Sequence, residues 1–237
     1  MLVGWCWLLM GRPKAGYDID GEPIPGTTTV CGLLNKSALV GWAGKTCTDF
    51  AWRAGKAGEP MPKWNAVLYG QRDDAATAGT LVHDLFEAHL RGTEPPPIPD
   101  NEIGTAARQG FANAKAWLEG SALLIESHER PLVSHQYRYG GTPDAIATNG
   151  DDIWLFDWKT SKGVYAEMIL QMAAYRQLLA ECEDTAVAGV HLVRFSRDYA
   201  DFAHYSFAND LIDQGWEVFR RLLEIYRPLK ALEARVK

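Results

Sequence analysis

The chain of 237 residues has few cysteines and lacks an apolar run long enough to cross a membrane. Its four cysteines form no C-x-x-C pair, so the local pattern of a zinc ribbon or an iron–sulfur cluster is missing, and free thiols in a reducing cytoplasm are expected. The apolar residues 1–10 lack the basic segment and cleavage site of a secretion signal, and they are too short to span a bilayer. The sequence therefore predicts a soluble, cytoplasmic protein with no membrane partner.

A strong excess of one charge is also absent, since 30 acidic and 24 basic residues give a formal net charge of −6 at pH 7. This balance excludes a protein coated in basic surface, although a local cationic groove for nucleic acid is compatible with it. No internal repeat occurs, and the proline run at 95–97 is the one low-complexity stretch. With 47% hydrophobic residues, the chain can bury one sizeable core, or a core with a substantial helical appendage.

The hydrophobic pattern predicts helices before residue 120 and a mixture of strands and helices after it. Predicted helices cover residues 33–56, 64–90, 101–119, 164–181 and 211–232, and Pro228 is a candidate break in the last of them. Predicted strands cover residues 130–139, 145–148, 152–158, 187–195 and 202–207. This order is typical of an α/β fold with a mixed central sheet flanked by helices. We expect a tail over 1–16 and a single domain over 17–237, with a helical region at 17–120 and a core at 121–237.

Two acidic residues and a lysine carry the strongest functional signal. Asn149-Gly150 predicts a hairpin that brings Asp144 and Asp157 onto one face of a sheet. With a two-residue loop Thr142 would lie opposite Asp157 and Asp144 would be its diagonal neighbour, whereas a four-residue loop would place Asp144 directly opposite Asp157. Lys159 joins the same face because side chains alternate along a strand. The pattern predicts a metal site with a positive charge beside it.

The simplest interpretation of an Asp-x-Lys pair on an exposed strand is a solvated ion pair. The predicted strand 152–158 is apolar on both faces, however, as in a strand that is covered on both sides. Charges at the end of such a strand are costly unless they are paired or bind a metal. A buried ion-pair cluster without chemistry stays open as an alternative.

Two further pairs of residues lie four positions apart on predicted helices, so each pair shares a helix face. His83 could bind a divalent ion through one ring nitrogen, while a carboxylate such as Glu87 fixes its tautomer. Gln171 and Tyr175 follow the Asp157 strand, where they could orient the lysine or touch a nucleic acid strand. For both pairs, ordinary packing in or beside the core is the alternative interpretation.

Taken together, these motifs resemble the PD-(D/E)XK nucleases, and specifically their RecB-like exonuclease branch. Pro143-Asp144 followed by Asp157-Trp158-Lys159 is similar to the defining motif of the superfamily. Gly79-Thr80, His83 and Glu87 look like its upstream histidine motif, and Gln171 with Tyr175 looks like its Q-x-x-x-Y element. Over residues 17–207, the sequence around these motifs is similar to the sequences of phage-type exonucleases and of the mitochondrial genome maintenance exonuclease.

The resemblance implies a restriction-endonuclease-like core that holds one or two Mg²⁺ or Mn²⁺ ions. It implies that Asp144, Asp157, His83 and the backbone carbonyl of Trp158 bind the metal, and that Lys159 assists the attacking water. Members of the superfamily with an iron–sulfur cluster carry four cysteines for it. This chain lacks such a set, so no iron–sulfur cluster is expected.

Glu129 stands where the family often has a glutamate, just before the first predicted core strand, and could touch the metal or its waters. Glu87, Gln171 and Tyr175 are expected to support the site or to contact DNA.

The function implied is a metal-dependent DNA exonuclease that prefers single strands or free ends, because helices before residue 120 could arch over the site. Recombination, repair or replication in a bacterium or a phage-infected cell would be its setting, with replication or recombination proteins as partners. One alternative is a structure-selective or single-strand endonuclease, similar to CRISPR-adaptation nucleases without the cluster. The others are a non-catalytic DNA-binding protein of the same fold and a metal-dependent hydrolase of another polymer.

Overall fold

The computed structural model describes residues 13, 16–34, 37–60, 64–121, 123–149, 152–183 and 186–236. The chain divides into two compact units. The first comprises Met1–Leu33, Ala116–Phe195 and Asp201–Lys237, and the second comprises Leu34–Lys115 and Ser196–Ala200. Most of the predicted tail at 1–16 lies outside the described residues. No described helix has the length and apolarity needed to cross a bilayer.

The described elements follow an order close to the predicted one, with mostly helices up to residue 121 and strands mixed with helices after it. In chain order they are β1 (Tyr17–Ile19), β2 (Glu22–Ile24), α1 (Thr27–Cys31), α2 (Ser37–Ala57), α3 (Trp64–Arg91), α4 (Glu102–Ser121), β3 (Leu124–His128), β4 (Leu132–Ser134), β5 (Tyr139–Gly141), β6 (Ala145–Asn149), β7 (Asp152–Lys159), α5 (Ala166–Glu183), β8 (Val187–Phe195), β9 (Phe202–Phe207) and α6 (Asn209–Arg235).

A five-stranded mixed sheet forms the centre of the first unit, in the spatial order β3-β6-β7-β8-β9. Strands β7 and β8 pair in parallel, and the other neighbouring strands pair antiparallel. Parallel neighbours need a crossover connection, and α5 supplies it between β7 and β8. The predicted α/β class with a mixed central sheet flanked by helices is confirmed, and this architecture is consistent with a restriction-endonuclease-like core.

The two faces of β7 have different neighbours. Phe156 and Trp158 point to the face on which the Trp117 ring packs, with ring centroids 5.7 Å and 5.1 Å away. The alternate residues Asp157 and Lys159 point to the opposite face, which α5 covers. Because both faces are covered, β7 is apolar along most of its length although it ends in charged residues.

Two histidines lie on the Trp117 face of the sheet. His191 stacks against both Trp154 and Phe156, with ring centroids 4.7 Å and 4.9 Å away. His204 Nε2 lies 3.1 Å from His191 Nδ1, and Trp117 Nε1 donates to His204 Nδ1 at 3.4 Å. Burial, with a smaller contribution from His204, lowers the pKa of His191 to about 4, and burial also lowers the pKa of His204. Both rings are therefore neutral at pH 7.

The predicted strand 130–139 is wrong. Residues 132–141 form a separate two-stranded hairpin, β4 with β5, and the strand that pairs with β6 is β3. The chain reverses at Arg138, which adopts a φ of 57°. Ser134 closes that turn by accepting hydrogen bonds from the backbone N–H groups of Tyr137 and Arg138, at 2.8 Å and 2.9 Å. A polar turn inside an alternating pattern produced the longer strand prediction.

Two helices on the far side of the sheet complete the first unit. Helix α5 is buried along most of its length because it packs against the sheet on one side and against α6 on the other. Helix α6 continues through Pro228, so the predicted break does not occur. Proline removes one backbone donor and clashes with the preceding turn, a cost that the surrounding helix tolerates here.

The second unit consists of helices α2 and α3, most of α4, and residues 196–200. Helices α3 and α4 pack closely at Gly110. A Cβ added there would lie only 2.6 Å from the Val82 side chain, so the absence of a side chain permits this approach. Asn113 ties the short returning segment to α4 by donating to the backbone oxygens of Ser196 and Tyr199, at 2.7 Å and 2.8 Å.

Candidate active site

Asp144 and Asp157 lie side by side where β6 begins and β7 ends. Ala145 pairs with Phe156 in the antiparallel ladder, so Asp144 and Asp157 are the next residues along the two strands. Directly opposed residues in such a ladder have Cβ atoms roughly 4.5–5.5 Å apart. Of the two registers that the sequence allowed, the one with Asp144 opposite Asp157 is confirmed, and the one with Thr142 opposite Asp157 is wrong.

Asp144 is held at both its side chain and its backbone. Its Oδ2 accepts a hydrogen bond from the Trp158 backbone N–H at 2.8 Å, and its carbonyl oxygen accepts one from the Glu129 N–H at 3.1 Å. Only 5% of the residue is exposed. The carboxylate therefore has a fixed orientation beside the junction between Asp157 and Trp158.

The carbonyl of Trp158 points into the same region. In a β-strand the N–H and C=O groups of one residue are directed toward the same neighbouring strand. Because the Trp158 N–H is directed toward Asp144, the Trp158 carbonyl oxygen lies on that side as well. Strand β6 begins at Ala145, after Asp144, so this carbonyl lies beyond the end of the β6–β7 ladder. The arrangement suits its predicted role as an oxygen ligand.

Lys159 forms an ion pair with Asp157, as the alternation of side chains predicts. The Asp157 side chain is 1% exposed and the Lys159 side chain is 19% exposed, so the pair is largely shielded from water. The ammonium group thus lies at the accessible end of the pair, and the carboxylate lies at its inner end. With Asp144 included, two carboxylates and one ammonium group lie together in this patch.

Gln171 links α5 to this cluster. Its Nε2 donates to the Tyr175 hydroxyl at 2.8 Å and makes a longer contact of 3.5 Å with Asp157 Oδ1. Gln171, Tyr175 and Asp157 are all buried. Gln171 and Tyr175 share one face of α5, as their spacing predicts, and Gln171 contacts the carboxylate of Asp157, whose other oxygen Lys159 binds. Their roles in orienting the lysine or contacting DNA stay predictions.

Glu129 follows the edge strand β3, so the prediction that it precedes the first core strand is wrong. It adopts a φ of 48°, a left-handed conformation that is uncommon outside glycine. The Glu129 N–H donates to the Asp144 carbonyl oxygen, which continues the ladder between β3 and β6. Glu129 thus contacts the site through its backbone, whereas a contact of its side chain with metal stays a prediction.

His83 and Glu87 lie on α3 in the second unit. His83 is half-buried and is flanked on the helix by the buried Val82, Leu85 and Phe86. Glu87 forms an ion pair with Arg91 one turn later. The helical context of the pair is confirmed, and the binding of metal by His83 stays a prediction.

The acidic pair has the chemistry of a divalent-cation site. Mg²⁺ is commonly bound by one or two carboxylates while it keeps several waters, and hard oxygen ligands also suit Mn²⁺. The residues described contain no group of three or more His, Cys, Asp or Glu side chains arranged to hold a metal. Asp144, Asp157 and the Trp158 carbonyl are oxygen donors that fit an ion of this kind.

Sequence reasoning missed the residues that support Asp144 from the N-terminal segment. Tyr17 bonds to Thr142, with their side-chain oxygens 2.8 Å apart, and Thr27 donates to the Gly140 carbonyl oxygen at 3.0 Å. The adjacent glycines Gly140 and Gly141 were the signal that could have found them, because glycine pairs often mark a close approach of another chain segment.

No protein-family model matches the sequence, and no curated protein matches it. Among solved structures, an exonuclease candidate from Eubacterium rectale is 8% identical, with 62% of this chain and 67% of that chain covered and a TM-score of 0.45. The alkaline exonuclease LHK-Exo from Laribacter hongkongensis is 15% identical, with 69% and 92% covered and a TM-score of 0.35. Its complex with dAMP is 16% identical, with 67% and 86% covered and a TM-score of 0.35. Likeness at this level defines neither the family nor the activity of the chain.

Proposed function

We propose that the chain is a metal-dependent deoxyribonuclease of the PD-(D/E)XK type. The observation that carries the proposal is the convergence of Asp144, Asp157 and Lys159 on one buried patch at the ends of paired strands. A cluster of this composition satisfies three needs of phosphodiester hydrolysis: acidic ligands for a cation, a positive charge for the phosphate, and a hydrogen-bond donor for water.

Asp144 and Asp157 would hold Mg²⁺ or Mn²⁺ together with the Trp158 carbonyl. A divalent ion held there would neutralise charge on the attacked phosphate and lower the pKa of a bound water. The proposed cofactor is therefore one or two divalent ions. The four cysteines of the chain do not form the set that an iron–sulfur cluster needs.

Lys159 would orient the attacking water and offset the charge that develops on the phosphate. Its ion pair with Asp157 keeps the ammonium group at the edge of the carboxylate pair, and its partial exposure leaves it accessible to a substrate. Gln171 would hold the Asp157 carboxylate in place by hydrogen bonding, while Tyr175 fixes the amide of Gln171. These contacts reduce the number of orientations that the carboxylate can adopt before the substrate binds.

His83 would complete the metal ligands, with Glu87 fixing its tautomer, and the side chain of Glu129 would contact waters around the ion. These roles rest on the sequence resemblance. Each can be tested separately from the Asp144, Asp157 and Lys159 cluster, because loss of His83 should weaken metal binding while the acidic pair remains.

End-directed cleavage of DNA, with preference for a single strand or a free end, is the mode that the resemblance to RecB-like exonucleases favours. Replication, recombination or repair in a bacterial or phage-infected cytoplasm is the matching setting, with proteins of those processes as partners. A single-strand or structure-selective endonuclease would use the same three residues. It would differ from an exonuclease in the substrate that it accepts.

The test is digestion of linear single strands labelled at the 5′ or the 3′ end, with circular single-stranded DNA as the control substrate. With Mg²⁺ or Mn²⁺, we expect loss of the linear strands from one end while circles stay intact. Cleavage of circles would replace the exonuclease by an endonuclease. DNA binding without cleavage in either metal would favour the non-catalytic alternative, and activity that persists in EDTA would remove the metal from the mechanism.

A further inference from the structure

The N-terminal segment from Tyr17 to Thr27 contacts the stretch of chain that leads into Asp144. The Tyr17 hydroxyl and the Thr142 hydroxyl lie 2.8 Å apart, and the Thr27 hydroxyl donates to the Gly140 carbonyl oxygen at 3.0 Å. The Gly140 N–H in turn donates to the Pro25 carbonyl oxygen at 3.0 Å. Three hydrogen bonds therefore connect residues that are more than a hundred positions apart in the sequence.

Besides these hydrogen bonds, the two segments also pack closely against each other. The Tyr17 ring occupies the space in which a Cβ at Gly140 would lie. A Cβ at Gly141 would come within 2.6 Å of both Thr27 Oγ1 and the Tyr175 ring. Both glycines are thus required by packing, because any side chain there would push the N-terminal segment or α5 away.

The held stretch needs such support because of its composition. Glycine has more conformational freedom than other residues, so two consecutive glycines specify the backbone poorly by themselves. After them, only Pro143 separates Thr142 from Asp144, and the proline ring fixes one of its two backbone angles. A displacement of the buried Thr142 is therefore passed to Asp144 with little chance of being absorbed between them.

We propose that Tyr17 and Thr27 are positioning residues for the Asp144 carboxylate. By fixing Gly140 and Thr142 they keep Asp144 aligned with the Trp158 N–H, and so opposite Asp157. The inference rests on the proposed function, since the benefit of this alignment is tight binding of the divalent ion between the two carboxylates. Neither residue needs to touch the ion or the DNA for this role.

The test compares Tyr17→Phe, which removes only the hydroxyl, with wild type and with Tyr199→Phe. Tyr199 is a matched control because it is 71% exposed and belongs to the other unit. Calorimetric titration with Mn²⁺ in the absence of DNA gives the metal affinity, and single-turnover cleavage at increasing Mn²⁺ gives the rate. Loss of this half-buried hydrogen bond should weaken Mn²⁺ binding about three- to tenfold in Tyr17→Phe and leave Tyr199→Phe unchanged. Saturating Mn²⁺ should restore most of the cleavage rate.

A double variant tests whether Tyr17 acts through Thr142, and circular dichroism of a second variant checks that the fold is kept. If Tyr17 acts through Thr142, then Tyr17→Phe combined with Thr142→Val should bind Mn²⁺ no more weakly than the weaker single variant. Thr27→Val should also weaken Mn²⁺ binding while it keeps the circular dichroism spectrum of the wild type. Unchanged Mn²⁺ affinity in both Tyr17→Phe and Thr27→Val, or additive effects of Tyr17→Phe and Thr142→Val, would overturn the inference.

The proposed function and this inference fail in different ways. A wild-type protein that binds no Mn²⁺ and leaves DNA intact would remove both. A wild-type protein that cleaves DNA with Mn²⁺, together with a Tyr17→Phe variant that behaves identically, would remove only the positioning role.

Discussion

The backbone N–H of Trp158 donates a hydrogen bond to Asp144 Oδ2 at 2.8 Å, across two neighbouring strands of the sheet. One acidic side chain is thereby oriented by the peptide group that follows the other acidic residue. The two carboxylates are therefore structurally coupled before any ligand is present.

Asp144→Asn should abolish DNA cleavage while the fold is retained. The amide oxygen can still accept from the Trp158 N–H, but the negative charge that attracts a cation is lost. Residues that only orient a metal ligand typically change affinity or activity by about 10- to 100-fold, so loss of a ligand should cost more than about 100-fold. Single-turnover cleavage and Mn²⁺ calorimetry measure the two effects, with Asp157→Asn expected to behave alike. Normal turnover in either variant would contradict the mechanism.

Lys159→Ala should also abolish cleavage, and it should make stability depend on metal. Removal of the ammonium group leaves Asp157 buried without its ion-pair partner, and a cation can replace that charge. We expect a lower melting temperature than wild type in EDTA and a larger rise on addition of Mn²⁺. Differential scanning calorimetry checks this, with the exposed Lys162→Ala as control. Equal metal-induced shifts in Lys159→Ala and wild type would argue against a cation beside Asp157.

His83→Ala should weaken Mn²⁺ binding by about tenfold or more and change DNA affinity much less, because an imidazole ligand contributes to the metal rather than to the phosphate backbone. His89→Ala is the matched control, since His89 is an exposed histidine on the same helix. Calorimetry with Mn²⁺ and fluorescence anisotropy with labelled DNA measure the two affinities. If both variants bind Mn²⁺ equally well, His83 is no ligand.

Stability should fall in mild acid because of His191. Its pKa is lowered to about 4 in the folded protein, mainly by burial, whereas an unfolded histidine has a pKa near 6.5. The unfolded chain therefore takes up a proton first as the pH falls. This contribution is fully present above about pH 6.5 and is lost progressively down to about pH 4, with an upper limit of about 3 kcal/mol.

The hydrogen bonds around His191 also disfavour its protonated form, and so lower its pKa in the same direction as burial does. Trp117 donates to His204 Nδ1, which leaves the His204 Nε2 proton to be donated to His191 Nδ1. A proton added to either acceptor nitrogen would face another N–H group. Urea unfolding at pH 8 and pH 5 should show the loss, and His191→Gln should reduce it, while the exposed His135→Gln should not. A pH dependence unchanged in His191→Gln would assign the effect elsewhere.

Most of the core could be predicted from sequence because its elements carry strong local patterns. The predicted strands 187–195 and 202–207 have the observed bounds, and β6 and β7 differ from prediction by one residue at one end. Asn149-Gly150 located the hairpin, although its register stayed open between two possibilities. Pairing of Ala145 with Phe156 resolves that choice, and sequence periodicity alone could not, since both registers keep the acids on one face.

The elements that sequence missed are short or depend on distant partners. Strands β1, β2, β4 and β5 have three residues each, too few for an alternating pattern to show. Tyr17 and Thr142 are 125 positions apart, so nothing local links them. The side-chain chemistry of Asp144, Asp157, Lys159, Gln171 and Tyr175 was visible beforehand. The hydrogen bond from Trp158 to Asp144 was not, because a backbone donor leaves no mark in the sequence.

The antiparallel ladder between β6 and β7 has a consequence for recognising distant relatives of this chain. Insertion of one residue inside β6 would turn Asp144 to the opposite face of the sheet, because side chains alternate along a strand. Extra residues beyond Asn149 would lengthen only the tip of the hairpin and leave both acids in place. Alignments of such proteins should therefore permit gaps at the hairpin tip and forbid them between Asp144 and Asn149.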